Sequence, residues 1–200
     1  MKKITKIGLV TALFPLFAAL PAQAGLFDNS GSDGGDFFED VFFGGSFGQS
    51  EADGFCDTTA GCNDEDTSWK VYGGYKVNDM IDAEVSYHSI GDINKTTSTD
   101  TSTTTETSEI SALAINAVGT YKINDSVEAL GKIGAASWTS ENSDGENSGI
   151  GLTYGFGAKV SMNENMKIRA EWETISGVET AGGSESDIST MSVGIELDTL

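Results

Sequence analysis

The sequence is poor in basic residues, cysteine and proline. Its 200 residues hold 11 Lys and Arg against 31 Asp and Glu, which gives a net charge of −20. So acidic a chain is repelled by phosphate backbones, and the composition therefore predicts no nucleic-acid partner. The length, with two prolines and with 25 glycines that follow no collagen-like period, predicts a single folded domain.

The N-terminus has the features of a signal peptide. Three lysines within the first six residues precede an apolar segment over residues 7–20, and Ala-Gln-Ala ends the stretch before residue 25. Pro15 interrupts this segment, which is shorter than the roughly 20 residues that a membrane-spanning helix needs. We therefore expect a signal peptide over residues 1–24, a leader of unassigned structure over 25–39, and a folded domain over 40–200. Cleavage would leave a net charge of −23.

Two cysteines, Cys56 and Cys62, lie close together in a stretch rich in Gly, Asp and Thr. In an exported protein such a pair is expected to form a disulfide, because the periplasm is oxidising. Closing so short a loop would contribute about 2 kcal/mol in the chain-entropy account. Metal binding is the weaker alternative, since the chain has no second pair of thiols and its one histidine is distant. We expect no metal site and no cofactor.

Acidic residues surround this cysteine pair and raise the possibility of calcium binding. They are Asp57, Asp64, Glu65 and Asp66. Calcium takes clusters of carboxylates, but the spacing is not that of an EF-hand. A solvated acidic loop is the favoured interpretation.

Beyond residue 24 the apolar residues alternate with polar ones in segments of about ten residues, which is the period of β-strands. In residues 166–173, for example, Met, Ile, Ala and Trp alternate with Lys, Arg, Glu and Glu. The pattern predicts eight strands, near residues 41–50, 68–77, 81–88, 113–121, 127–135, 150–160, 166–173 and 191–198.

The connections between these segments alternate in length. Short turns fall at residues 78–79, 124–125 and 163–165, whereas longer polar connections fall at about 51–67, 91–108, 139–148 and 177–187. Outer-membrane barrels have this asymmetry, with short periplasmic turns and long external loops. The second long connection is a Ser/Thr tract with little to bury, and we expect it to be mobile and exposed to solvent.

The alternation fits either a soluble barrel with an apolar interior or a membrane barrel with an apolar exterior. Charges of both signs on the polar face favour the membrane barrel, because they can pair inside a narrow lumen. The expected lumen charges are Lys70, Glu84, Glu128, Lys132, Arg169, Glu171 and Glu173. The aromatic residues of the apolar face also fall toward its two edges, as in an aromatic girdle. They are Trp69 and Tyr87 near the long connections, and Tyr75, Tyr121 and Phe156 near the short turns.

Catalysis is not predicted. His88 is the one histidine, and Ser86 and Glu84 share its face of the strand. Residues two apart on a strand are about 7 Å apart, so these side chains are expected to line up along the lumen without converging as nucleophilic catalysis requires.

The segments VFFGGSFGQS, SWKVYGGYKVNDMIDAEVSYHSIGDI, MKIRAEWETI and MSVGIEL together resemble the OmpA-like transmembrane domain and its relatives among outer-membrane β-barrels. The resemblance covers most of residues 41–200. It implies an all-β fold, an eight-stranded antiparallel up-and-down transmembrane barrel. It further implies export through the periplasm, insertion by the barrel-assembly machinery and residence as a monomer among the lipid and lipopolysaccharide of a Gram-negative outer membrane. Members usually close on an aromatic residue, whereas Leu197 and Leu200 stand in the closing region here.

Two functions remain open after these observations. One is a structural or surface-interaction role, in adhesion or envelope integrity, with external ligands held by the loops and the lumen plugged by charged side chains. The other is a small, gated channel of low conductance for small solutes. An eight-stranded barrel has an interior that side chains can fill, which favours the plugged lumen.

Overall fold

The structure, a computed structural model, describes residues 40–53, 62–63, 65–99, 102–142, 145–180 and 184–199. All of them belong to one compact unit, Gly35–Leu200. The strands are β1 (Val41–Asp53), β2 (Cys62–Asn63), β3 (Glu65–Asn78), β4 (Ile81–Thr99), β5 (Ser102–Lys122), β6 (Val127–Asn142), β7 (Gly145–Ser161), β8 (Met166–Thr180) and β9 (Ser184–Asp198). Within these ranges no helix is both long and apolar enough to cross a membrane.

Eight of the strands form a closed antiparallel barrel. From β3 to β9 each strand pairs with the next along the chain, β1 pairs with β3, and β1 also pairs with β9. That last pairing, which runs from Phe42 opposite Asp198 to Asp53 opposite Asp187, closes the cylinder. The two-residue β2 pairs with β4 beyond the end of the β3–β4 pairing. The predicted eight-stranded up-and-down barrel is therefore confirmed.

Side chains alternate between the outer wall and the lumen, as the period of two predicts. On β6, Ile133 is 58% exposed on the wall, while the adjacent Lys132 is 5% exposed in the lumen. On β9, Ile195 is half exposed and the adjacent Glu196 is fully buried. So much apolar surface is unfavourable in water, whereas it matches the hydrocarbon core of a membrane.

Each of the three short turns contains an asparagine that caps its own backbone. The Oδ1 atom of Asn78 accepts the N–H of Met80, and that of Asn163 accepts the N–H of Asn165. Asn124 Oδ1 accepts two N–H groups, those of Ser126 and Val127. Asparagine favours such turns because its short side chain replaces a backbone acceptor.

The strands continue further into the polar connections than the sequence predicts. Pairing of β4 with β5 extends through the Ser/Thr tract as far as Thr99 opposite Ser102, where a mobile loop was expected. The composition of the tract predicts disorder. Threonine is β-branched, however, and its high strand propensity favours pairing of the tract in a hairpin. β7 likewise begins at Gly145 and β9 at Ser184, inside the predicted connections.

Some predictions lie outside the described residues. The signal peptide over 1–24 and the leader over 25–39 do so, as do Cys56, Asp57 and Asp64. Cys62 lies in β2, opposite Lys95 of β4. The Cys56–Cys62 disulfide therefore stays a prediction.

We expect the substitution Asn124→Ala to lower the free energy of unfolding by about 1 kcal/mol, because two turn N–H groups lose their acceptor. Urea unfolding of the barrel in lipid vesicles, followed by tryptophan fluorescence, would measure the change. Asp125→Ala in the same turn is the matched control and should change stability by less than about 0.5 kcal/mol. Equal effects of the two substitutions would contradict the capping role.

Candidate functional site

The middle of the lumen holds nine charged side chains joined by ion pairs, here called the ionic network. Five strands, β3, β4, β6, β7 and β8, supply eight of them, and β9 supplies the ninth. Each is at most 6% exposed. Its members are Lys70, Asp82, Glu84, Lys132, Lys159, Arg169, Glu171, Glu173 and Glu196.

Arg169 is the centre of this network. Its Nη2 atom lies 2.7 Å from both Glu84 and Glu171, and its Nη1 atom lies 2.8 Å from Glu196. These carboxylates come from three different strands, so one guanidinium ties β4, β8 and β9 together across the lumen. Arginine suits the place because its planar fork can donate to several carboxylates at once.

Two lysines share carboxylates with Arg169 and also contact Glu173. Lys132 Nζ lies 2.6 Å from Glu173, 3.4 Å from Glu171 and 3.5 Å from Glu84. Lys70 pairs with Glu171 and lies 3.2 Å from Glu173. Each lysine thus bridges several acids, and each buried charge has a partner of opposite sign, as buried ions require.

Lys159, Asp82 and Glu196 also belong to the network, although they are not among the lumen charges expected from the sequence. Lys159 Nζ lies 2.9 Å from Glu196 and 3.6 Å from Asp82. The signal was present in the sequence, since each of the three residues occupies a polar-face position of its strand. Residues of one parity point to the same side of a strand, so parity alone places all three of these charges in the lumen.

A tyrosine ring packs against the cations of the network. Arg169 lies 4.5 Å from the centre of the Tyr72 ring, and Lys70 Nζ lies 5.2 Å from it. The face of an aromatic ring attracts a cation, so the Tyr72 ring stabilises these two charges in addition to their ion pairs. Gly44 on β1 makes room for this ring, because a Cβ at that position would collide with it.

Glu128 stands apart from the network, at the end of the barrel that carries the short turns. Its carboxylate lies 3.4 Å from Lys167. Lys167 lies 3.3 Å from Asp198, which in turn lies 3.0 Å from Lys76. The position near the start of β6 explains the difference, because it places Glu128 at the rim, below Lys132 and the other buried charges.

The expectation that Ser86 and His88 would not converge is wrong. Ser86 Oγ lies 2.9 Å from His88 Nε2, because adjacent side chains on one face can lean along the strand. Glu173 is the acid near His88, at 3.7 Å, and it approaches the same Nε2 atom. A nucleophile–base–acid relay needs the serine and the acid on opposite ring nitrogens, so this arrangement does not form one.

The five aromatic residues of the expected girdle all belong to the outer wall. Trp69 and Tyr87 contact each other near the long connections, with ring centres 5.6 Å apart. The other three, Tyr75, Tyr121 and Phe156, are 37%, 73% and 62% exposed. Phe156 also packs on Trp172 of β8, at 5.3 Å between ring centres. That strand therefore adds an aromatic residue to the wall that the expected girdle did not include.

We expect Arg169→Met to destabilise the barrel by about 3 to 5 kcal/mol, because it leaves three buried carboxylates without their shared partner. The temperature at which the folded band shifts on a denaturing gel would measure the loss. Arg169→Lys should lose less, since it retains the charge without the fork. Lys122→Met, at an exposed site, is the control, and an equally large effect there would contradict the assignment.

Comparison with known proteins identifies relatives of the same architecture. Neisserial surface protein A superposes with a TM-score of 0.61 at 12% sequence identity, over 80% of this chain and 97% of that one. Ail of Yersinia pestis, in complex with the heparin analogue sucrose octasulfate, gives 0.52 at 16% identity over 80% and 99%. The N-terminal barrel domain of Pseudomonas aeruginosa OprF gives 0.52 at 16% identity over 79% and 98%.

These likenesses are too distant in sequence to show more than a shared fold. A search among curated protein sequences finds no significant match. The family comparison is decisive, because residues 9–198 match the outer membrane protein beta-barrel domain over nearly the whole chain. With its closed barrel of eight strands and its apolar outer wall, the chain belongs to the outer membrane protein beta-barrel domain family.

Proposed function

We propose that this protein is a closed, monomeric barrel of a Gram-negative outer membrane, with a structural or surface-interaction role carried by its external end. Residues 1–24 direct export and are removed, residues 25–39 form a leader, and residues 40–200 contain the barrel. The barrel-assembly machinery inserts the chain from the periplasm, and the apolar wall then contacts lipid and lipopolysaccharide. Membership in the outer-membrane family supports this location.

The ionic network is the observation that carries the proposal. An eight-stranded barrel has an interior only wide enough for side chains to fill. Here nine charged side chains, centred on Arg169, fill its middle and pair with one another across the lumen. The lumen is in this proposal a structural plug, and the external strands and connections carry the function.

The protein is proposed not to be an enzyme. The contact of Ser86 with His88 is buried in the lumen, away from lipid substrates. Glu173 approaches the same ring nitrogen as the serine, so it cannot orient the imidazole for proton transfer from the hydroxyl.

A small, gated channel is the second candidate. The observation that favours it is that three carboxylates lie within 3.5 Å of Lys132 Nζ and offer it alternative partners. A change of partner could move the side chain with little loss of electrostatic energy and widen the lumen for a small solute.

Single-channel recording in planar bilayers separates the two candidates. We expect the folded wild-type barrel to show no stable open state, because buried ion pairs occupy the lumen. Refolded barrel verified by its heat-dependent gel migration should be used, with empty detergent micelles as the blank. Reproducible, long-lived openings would favour the channel and contradict the plug.

The external end of the barrel is acidic, whereas a site for a sulfated sugar would have to be basic. Carboxylates face one another across neighbouring strands, at Glu51 opposite Glu65, Glu109 opposite Glu141, and Glu141 opposite Glu146. Like charges placed opposite each other are unfavourable, and they create a negative potential at this end of the barrel. An external partner of this barrel would therefore carry positive charge where it meets these strands.

We expect no binding of sucrose octasulfate, the heparin analogue present in the Ail complex. The acidic external strands repel a polyanion. The repulsion should persist at about 0.15 M salt, because a bound sulfate would lie within a Debye length, about 8 Å, of the carboxylates. Calorimetric titration of the folded barrel in neutral detergent would test this, with Ail as the positive control. Saturable binding that weakens with salt would show that the acidic strands do not govern recognition.

A further inference from the structure

The lumen holds a second layer, between the ionic network and the long connections. Its side chains are apolar, each is at most 4% exposed, and together they are called here the outer apolar cluster. Its members are Ala52, Ile90, Ile110, Ala112, Ala114, Ala136, Trp138, Ile175, Val178 and Ile188. The alternation in the sequence predicts a charged lumen but does not predict this apolar layer.

The polarity of the outer wall reverses at this level. Lower on β5, the apolar Ile115 is 65% exposed on the wall, and the lumen face holds both Asn116 and the fully buried Val118. Higher on the same strand, Glu109 is on the wall and Ile110 is fully buried. β9 repeats the reversal, with Asp187 exposed beside the buried Ile188.

The reversal identifies the environment of this part of the barrel. A wall of carboxylates and hydroxyls is unfavourable in hydrocarbon, whereas an apolar interior is the normal core of a β-structure in water. The barrel therefore continues beyond the lipid as a cylinder with a wet exterior and an apolar interior.

A β-bulge helps to build the cluster. Ile90 is the extra residue between Ser89 and Gly91, and its side chain is buried in the lumen. Its carbonyl accepts a hydrogen bond from the buried Ser50 hydroxyl, at 2.5 Å. Gly91 follows with φ of 92°, a conformation suited to glycine, at a place where a Cβ would meet Asp66.

A second bulge lies on β8, between Ile175 and Val178, and both of these residues are buried members of the cluster. The N–H of Gly177, within this bulge, donates to Asp187 at 3.1 Å. The bulge on β8 places Val178 in the lumen, where Ile90 and Ile175 already lie by the alternation of their strands. Side chains of β1 and β9, Ser50 and Asp187, make the hydrogen bonds to the two bulges.

We propose that the outer apolar cluster is a second closure of the lumen, in series with the ionic network, and that it separates the network from external water and solutes. The inference rests on the closed lumen proposed above. An ion or a charged solute can pass an apolar constriction only if water enters with it, and wetting such a layer is unfavourable. A small cavity lined by Ser68, Lys70, His88 and Ile90, among others, lies where the two layers meet.

Thiol labelling in detergent tests this closure. Ser68→Cys places a nearly isosteric thiol in that cavity, and Thr67→Cys places one on the exposed wall at the same level. Both are made with Cys56→Ser and Cys62→Ser, so that each protein has one thiol. A charged methanethiosulfonate reagent should modify position 68 at least about 100-fold more slowly than position 67, because reaction requires local opening.

Opening the cluster should then raise the labelling rate at position 68. We expect Trp138→Leu together with Ile110→Ala to increase it by about tenfold or more, and Trp138→Leu alone to increase it less. Ile115→Ala, on the lipid-facing side of β5, is the matched control and should leave the rate unchanged. Heat-dependent gel migration confirms that each variant is folded, and the comparison of positions 68 and 67 needs no variant of the cluster.

Rapid labelling of position 68 in the native cluster would overturn the inference, and so would a rate that the cluster variants do not change. The conductance of the wild-type barrel shows whether such a result contradicts the outer closure alone or also the plugged lumen. Stable openings would contradict the plugged lumen itself. Rapid labelling of a non-conducting barrel would contradict only the outer closure.

Discussion

A peptide backbone that crosses hydrocarbon must satisfy its own hydrogen bonds, and the rest of this structure depends on that constraint. A sheet meets it only by closing on itself, which the pairing of β1 with β9 achieves. Closure with eight strands in turn fixes a narrow interior. Because residues alternate along every strand, the segments that place apolar groups toward lipid must place their remaining residues inside that interior.

The interior then needs side chains that tolerate burial together. Where the wall is apolar, the lumen holds acids and bases together with apolar side chains such as Val118 and Leu130. Arg169, Lys132 and Lys70 each contact more than one carboxylate. Near the long connections the wall is polar, at Glu109 and Asp187, and the adjacent side chains Ile110 and Ile188 are buried in the lumen. The same alternation thus places apolar side chains on the wall in one part of a strand and in the lumen in another.

Much of this could be predicted because the strand period is strict. Alternation in residues 166–173 predicted both the wall and the placement of Arg169 and Glu171, and the asparagine turns marked the strand ends. The rest depends on information that is not local. Glu128 has the parity of a lumen residue, but its height along the barrel separates it from the network. The bulge at Ile90 shifts the register without any signal in the period, and the pairing of the Ser/Thr tract is evident only opposite its partner strand.

The seam between the first and last barrel strands has a consequence for the timing of assembly. β1 and β9 share twelve paired positions, and Thr199 also bonds to Val41, across more than 150 residues of chain. Contacts so distant in sequence are slow to form. Until β9 pairs with β1, both edge strands of the incomplete sheet have unpaired backbone groups, to which other chains can bind. A chaperone that covers these two edges before insertion would therefore prevent aggregation of this polypeptide.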